Sequence, residues 1–142
     1  MAIKKKVVFF HRKPRHNKNF SVEILFERIR NNLPSDIQSV VKTARFYSSG
    51  FFKRIYIAIE AAFNQGDINH VTGDINFAAI LLKKKKTILT ILDLGLMNHP
   101  NLFSRKVLQW FWIQWPAKRA ACITTISEAT KRELLKYVNI DE

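Results

Sequence analysis

Apolar residues in this chain come in short clusters separated by charged or turn-forming stretches. Val7-Val8-Phe9-Phe10, Ile68-Asn69-His70-Val71-Thr72, residues 87–92 and residues 122–126 are runs of four to six residues, rich in β-branched side chains. Each is bounded by polar or turn residues, a pattern that predicts buried strands. Residues 39–47 are β-branched and aromatic, roughly alternating with Lys42 and Arg45, and predict another strand. Between these runs the period lengthens. Val22, Leu25, Phe26, Ile29 and Leu33 fall at helical spacing behind Ser21, a candidate N-cap, and Pro34 stops the pattern. Apolar positions 51, 55, 58, 59 and 62 predict an amphipathic helix with Gly66 as its C-cap. Helices are also predicted over 75–82, over 102–115 and from Ser127 onward.

Strands alternating with helical stretches predict an α/β domain with a parallel sheet of about five strands flanked by helices. With right-handed crossovers the expected order is doubly wound, 3-2-1-4-5, in one domain over residues 1–142. In such a sheet the loops at the carboxyl ends of the strands face the ligand. Those loops hold residues 11–19, Asp93 and Ser127.

Composition sharpens the picture at three points. The formal net charge of +13 implies an anionic neighbour: nucleic acid, an acidic membrane surface or a phosphorylated substrate. Nucleic acid is the least favoured, because neither a recognition motif nor an aromatic stacking platform accompanies the charge. The single cysteine, Cys122, lies in a predicted buried strand, where it is expected to act as a small hydrophobe in a reducing setting. No run reaches the roughly 18 apolar residues of a membrane-spanning helix, and Val7 to Phe10 are too few to follow Lys4-Lys5-Lys6 as a signal segment. The expectation is a cytoplasmic protein, peripheral on the inner face of the membrane where it meets lipid.

The motifs of the common enzymes on this architecture are missing. There is no G-x-G-x-x-G after the first strand, no phosphate-binding G-x-x-x-x-G-K-[ST], no G-x-S-x-G elbow and no Cys/His spacing for a metal. What remains is positional. His11, Arg12, Lys13, Arg15, His16, Asn17 and Lys18 make a basic loop where the sheet presents its crevice, and Arg can fork onto a phosphate. A solvated loop that keeps the domain soluble would look the same. Asp93 either contacts sugar hydroxyls or acts as a base, or it closes an Asx turn before Gly95. Ser127 reads as a helix N-cap with Glu128 on the dipole, and a free helix N-terminus also attracts anions. His70 fits a strand end, a core position or a ligand contact. Lys83 to Lys86 suit either a helix C-terminus or a phosphate or lipid headgroup.

The segment over 102–115 carries two apolar stripes, Phe103, Val107, Trp110 and Phe111 beside Leu108, Trp112 and Trp115, with Arg105 and Lys106 near its start. One stripe can cover the sheet. The other, with Arg105, Lys106, Trp110, Trp112 and Trp115 as the expected contacts, suits a membrane surface. Pro116 ends or kinks the helix.

Three blocks in order, His70-Val71-Thr72-Gly73-Asp74, Thr90-Ile91-Leu92-Asp93-Leu94 and Ile123-Thr124-Thr125-Ile126-Ser127-Glu128-Ala129-Thr130-Lys131-Arg132-Glu133-Leu134, resemble the N-terminal half of a family 4 (group 1) glycosyltransferase of the GT-B fold. The resemblance covers roughly residues 7–138. Asp93 matches the aspartate of the family's T-x-H-D, with Leu92 in the histidine's place, and charged residues replace the usual Gly-rich first turn. The resemblance implies a three-layer, Rossmann-like acceptor domain, with sugar passing from a nucleotide-sugar held by a second domain or a separate subunit. The acceptor would be a glycan or lipid-linked. It implies no metal and no tightly bound cofactor, and the expected chain continuation beyond Glu142 would carry the nucleotide-sugar site. On this reading Asp93 is the catalytic carboxylate, and His11, Arg12, Arg15, Asn17, His70 and Ser127 bind the acceptor.

Overall fold

The computed structural model describes residues 4–14, 21–98 and 100–140. Arg15 and Asn17 lie outside these.

Five strands, β1 (Lys5–His11), β2 (Ile37–Thr43), β3 (Ile68–Val71), β4 (Thr87–Ile91) and β5 (Cys122–Thr125), form one all-parallel sheet. Its order is 2-1-3-4-5 rather than the expected 3-2-1-4-5. The right-handed crossover rule permits both orders. They differ in where β3 docks, and it docks directly on β1, with Val7 to Phe10 opposite Ile68 to Val71. Thr72 extends that pairing, its amide and hydroxyl both donating to the Phe10 carbonyl at 3.2 and 2.9 Å. The chain therefore steps from β1 outward to β2 and returns across β1 to β3. The crevice of a doubly wound sheet opens at that reversal.

As an interior strand, β1 buries all of Val7 to His11. Val8 and Phe10 face the larger core with Val71, Leu89 and Ile91. Val7 and Phe9 face the other side, where they meet Phe26 of helix α1 (Ser21–Asn31), its one buried side chain. On that second side the apolar cover reaches, among the described residues, as far as Ile68 of β3. Cys122 and Thr124 are consequently exposed on the edge strand β5, against the expectation of a buried thiol. The strand expected over 39–47 is shifted: β2 begins at Ile37 and ends where its ladder with β1 ends, at His11 opposite Thr43, and Phe46 and Tyr47 are loop residues.

The large core is roofed by α2 (Phe51–Phe63), by a buried 3-10 turn, Asn76–Leu81, and by a helical run that follows β4. The 3-10 turn replaces the α-helix expected over 75–82. Asn76 to Ile80 are all buried between α2 and that run, and six residues suffice to cross the sheet there. The C-cap of α2 is Asn64, not Gly66. Gly66 serves close packing instead: a Cβ there would stand 2.7 Å from the Lys6 carbonyl oxygen and 2.9 Å from Val8.

The run over 102–118 is continuous but not uniform. Helix α3 (Leu102–Leu108) passes into a π-helical segment, Gln109–Gln114, and then into α4 (Trp115–Lys118), with Pro116 in its first turn. Pro116 has no N–H for the carbonyl one α-turn earlier, and a widened turn accommodates that loss. The wider turn sets Trp110 and Trp115, five residues apart, in tilted ring contact at 4.7 Å. It also reverses part of the expected facing. Trp112 is only 6% exposed and packs edge-on against Phe77 at 5.0 Å, so it belongs to the core and not to a membrane-facing surface. Arg105, Lys106, Trp110 and Trp115 are exposed, together with Leu102, Phe103 and Val107. The last helix, α5 (Glu128–Leu134), anchors through Leu134.

Candidate ligand crevice

Loops from the carboxyl ends of four strands meet around a cleft of about 440 Å³. Arg12 and Lys13 enter it after β1, Tyr47 and Ser48 after β2, Asp74 and Asn76 after β3, and residues 92–95 after β4. Arg54 from α2 and Trp112 from the π-helical segment form its wall on the large-core side.

The Gly73-Asp74 turn shapes the β3 corner. Both residues have positive φ, 102° and 56°, a conformation that glycine takes freely and aspartate tolerates. A Cβ on Gly73 would stand 2.5 Å from Leu92, so the glycine also lets the β3 and β4 loops close on each other. The turn delivers the Asp74 carboxylate to Arg12, whose guanidinium donates Nη1–H to it and Nε–H to Glu23 at 3.3 Å. Arg12 is thus at the cleft as expected, but two carboxylates hold it and offset its charge. Lys13 lies over the Tyr47 ring at 4.9 Å.

Asp93 is exposed at the β4 corner. Its Oδ1 accepts the Gly95 amide at 3.0 Å, so the Asx turn forms, and Oδ2 takes no hydrogen bond among the described residues. The turn and a ligand contact are compatible, because one oxygen fixes the carboxylate and the other stays open. Ser127 caps α5, accepting the Thr130 amide at 3.1 Å. The Thr130 hydroxyl in turn reaches the Leu92 carbonyl at 3.5 Å. Ser127 therefore stands beside the β4 corner without lining the cleft.

His11 and His70 lie elsewhere. Both pack under α1 on the Phe26 ring, edge to face at 5.8 and 5.2 Å, and neither pairs with a ligand-facing group of the cleft. Arg30 donates to His11 Nε2 at 3.2 Å. Since arginine can only donate, that nitrogen carries the lone pair and the imidazole is neutral. Burial, reinforced by the Arg30 charge and opposed by Glu23, lowers the His11 pKa to about 4. Burial, with a smaller contribution from His11, does the same for His70. His70 Nε2 bonds the Thr90 hydroxyl at 2.7 Å, which bonds Thr124 at 2.7 Å, a row of polar contacts across three strands.

Three cleft residues escape the reading of strand ends. Asn76 is only 4% exposed and its Oδ1 has no partner; the buried Ser48 Oγ and Arg54 Nε atoms are likewise unpartnered. The Arg54 guanidinium lies 4.6 Å from the Trp112 ring centroid, and no carboxylate pairs with it among the described residues. Burial pushes its pKa below the usual arginine value. Among the described residues no group of three His, Cys, Asp or Glu side chains could hold a metal ion.

Fold and cleft together define a doubly wound α/β domain with a polar crevice at its chain-reversal point. Comparison with protein-family models, with curated proteins and with solved structures finds no significant match. No helix among the described residues is long and apolar enough to cross a membrane.

Proposed function

We propose that this domain is the acceptor-binding half of a glycosyltransferase, working with a second domain or subunit that holds the nucleotide-sugar. The observation that carries this reading is the convergence of Asp93, the Arg12–Asp74 pair and Lys13 on one cleft from three strand ends. Carboxylates beside basic groups suit a ligand with both hydroxyls and negative charge, as a glycan or lipid-linked sugar has. Asp93, held by its Asx turn, accepts a hydroxyl of the acceptor near the reacting centre, and the resemblance of residues 90–94 to the family's strand-end motif agrees with that role. Ser127 shapes the neighbouring rim by capping α5.

Equilibrium binding of a short-chain polyprenyl-phosphate sugar and of a neutral oligosaccharide to the 142-residue chain tests it. Saturable binding that Asp93→Asn weakens about tenfold is expected, since hydrogen bonds to a charged group contribute about 1.5–3 kcal/mol. Binding that is identical in Asp93→Asn and Arg12→Gln defeats the assignment.

A second reading has its own observation. Phe103 is 76% exposed and Trp110 51%, beside Arg105 and Lys106 on a chain of net charge +13, which suits a basic module resting on an anionic membrane surface. The two readings are compatible if the acceptor is lipid-linked.

A further inference from the structure

We infer that the α2 side of the cleft is a subsite for the phosphoryl group of a hydroxyl-bearing phosphate ester. This rests on the acceptor reading for the identity of the cleft, and adds which chemical group binds where. Three of the four buried side-chain atoms without partners among the described residues, Ser48 Oγ, Arg54 Nε and Asn76 Oδ1, belong to residues lining this one cleft. Buried polar atoms are nearly always paired, so three orphans on residues lining one cleft mark a wall whose side chains gain partners by turning outward to a ligand.

Their chemistry is specific. Arg54 offers N–H donors in a planar fork, and its face rests on Trp112, which holds the fork at the cleft wall. Arg12, by contrast, is already held by Glu23 and Asp74, which leaves Arg54 as the cation without a carboxylate on this wall. Ser48 supplies a hydroxyl donor. Ser48 and Arg54 flank the first turn of α2, a thirteen-residue helix whose N-cap, Gly50, provides no side-chain bond, so the positive end of its dipole adds to the field. The acceptor Oδ1 of Asn76 does not suit a phosphoryl oxygen and calls for a donor. A hydroxyl next to the phosphoryl group provides it. Phosphate on Arg54 and Ser48, with a neighbouring hydroxyl on Asn76, describes a phosphorylated polyol or sugar, free or as a lipid headgroup.

Calorimetric titration at fixed ionic strength, with inorganic phosphate and with glycerol 3-phosphate as probes, tests this. Both should bind saturably, glycerol 3-phosphate more tightly, and Arg54→Gln should weaken both about tenfold or more, whereas Arg28→Gln on the exposed face of α1 should leave them unchanged. Ser48→Ala should weaken both several-fold, and Asn76→Ala should remove the preference for glycerol 3-phosphate. If Arg54→Gln also lowers binding to phosphatidylglycerol vesicles, the natural source is a lipid headgroup; if it leaves vesicle binding intact, the source is a soluble ester. Wild-type affinity in both Arg54→Gln and Ser48→Ala, or no saturable binding of either probe, overturns the inference. Should the phosphate probes behave as expected while Asp93→Asn leaves sugar binding unchanged, the subsite stands and the sugar-transfer reading fails.

Discussion

His11 and His70 show how far a residue's setting can depart from what its neighbours in sequence suggest. Next to Arg12 and Lys13, His11 reads as part of a basic loop, yet it is the last residue of β1 and its ring turns under α1. Unfolded, each imidazole titrates near 6.5; folded, each titrates near 4. Between those values the unfolded chain binds more protons, so the stabilising contribution is complete above pH 6.5 and is lost as pH falls toward 4. A loss on the order of 2–3 kcal/mol per histidine is expected. Urea unfolding from pH 7 to pH 4 should show the midpoint falling through this window, with a shallower fall in His70→Gln. A midpoint independent of pH in both proteins would contradict a neutral pair packed under α1. Other single residues were legible. Asp93 and Arg12 reach the cleft because a strand end in a parallel sheet has a known address. Ser48, Arg54 and Asn76 had no such signal: an arginine three residues into an amphipathic helix reads as solvent-facing, and only tertiary packing turns it toward Trp112.

Elements were legible where their pattern is local. Short β-branched runs became strands, and the amphipathic periods at 22–33 and 51–62 became α1 and α2. The order of β2, β1 and β3 was not, because both doubly wound orders are built from the same strands and helices; the choice lies in long-range docking of β3 on β1. Periodicity also assumes 3.6 residues per turn, and the π-helical segment violates that assumption between Gln109 and Gln114. Neither stripe therefore sank whole: Phe103, Val107 and Trp110 of the first and Trp115 of the second are exposed, whereas Trp112 of the second is buried. The exposed face keeps the tilted Trp110–Trp115 ring pair beside Arg105 and Lys106, so the helical run from Leu102 to Lys118 should bind acidic vesicles. In flotation with phosphatidylglycerol vesicles, binding should fall at high salt and fall further in Trp110→Ser, since charge and aromatic burial each contribute. Equal recovery of Trp110→Ser and wild-type protein would remove this face from consideration.

At the scale of the whole molecule, one side of the sheet is thickly roofed and the other, among the described residues, is covered by α1, with the cleft opening where the chain reverses between β2 and β3. This asymmetry gathers residues from four strand ends and two roof helices into one basin, although they are spread from Arg12 to Ile113 along the chain. The net charge of +13 then acts as a long-range attraction for an anionic ligand, and the cleft supplies the specific contacts. Mapping amide shifts of the isotope-labelled chain during titration with a short-chain polyprenyl-phosphate sugar tests that convergence most directly. Saturating shifts should appear together at Arg12, Ser48, Arg54, Asn76 and Asp93. Shifts confined to the α1 face or to the edge of β5, with those five residues unmoved, would contradict the account.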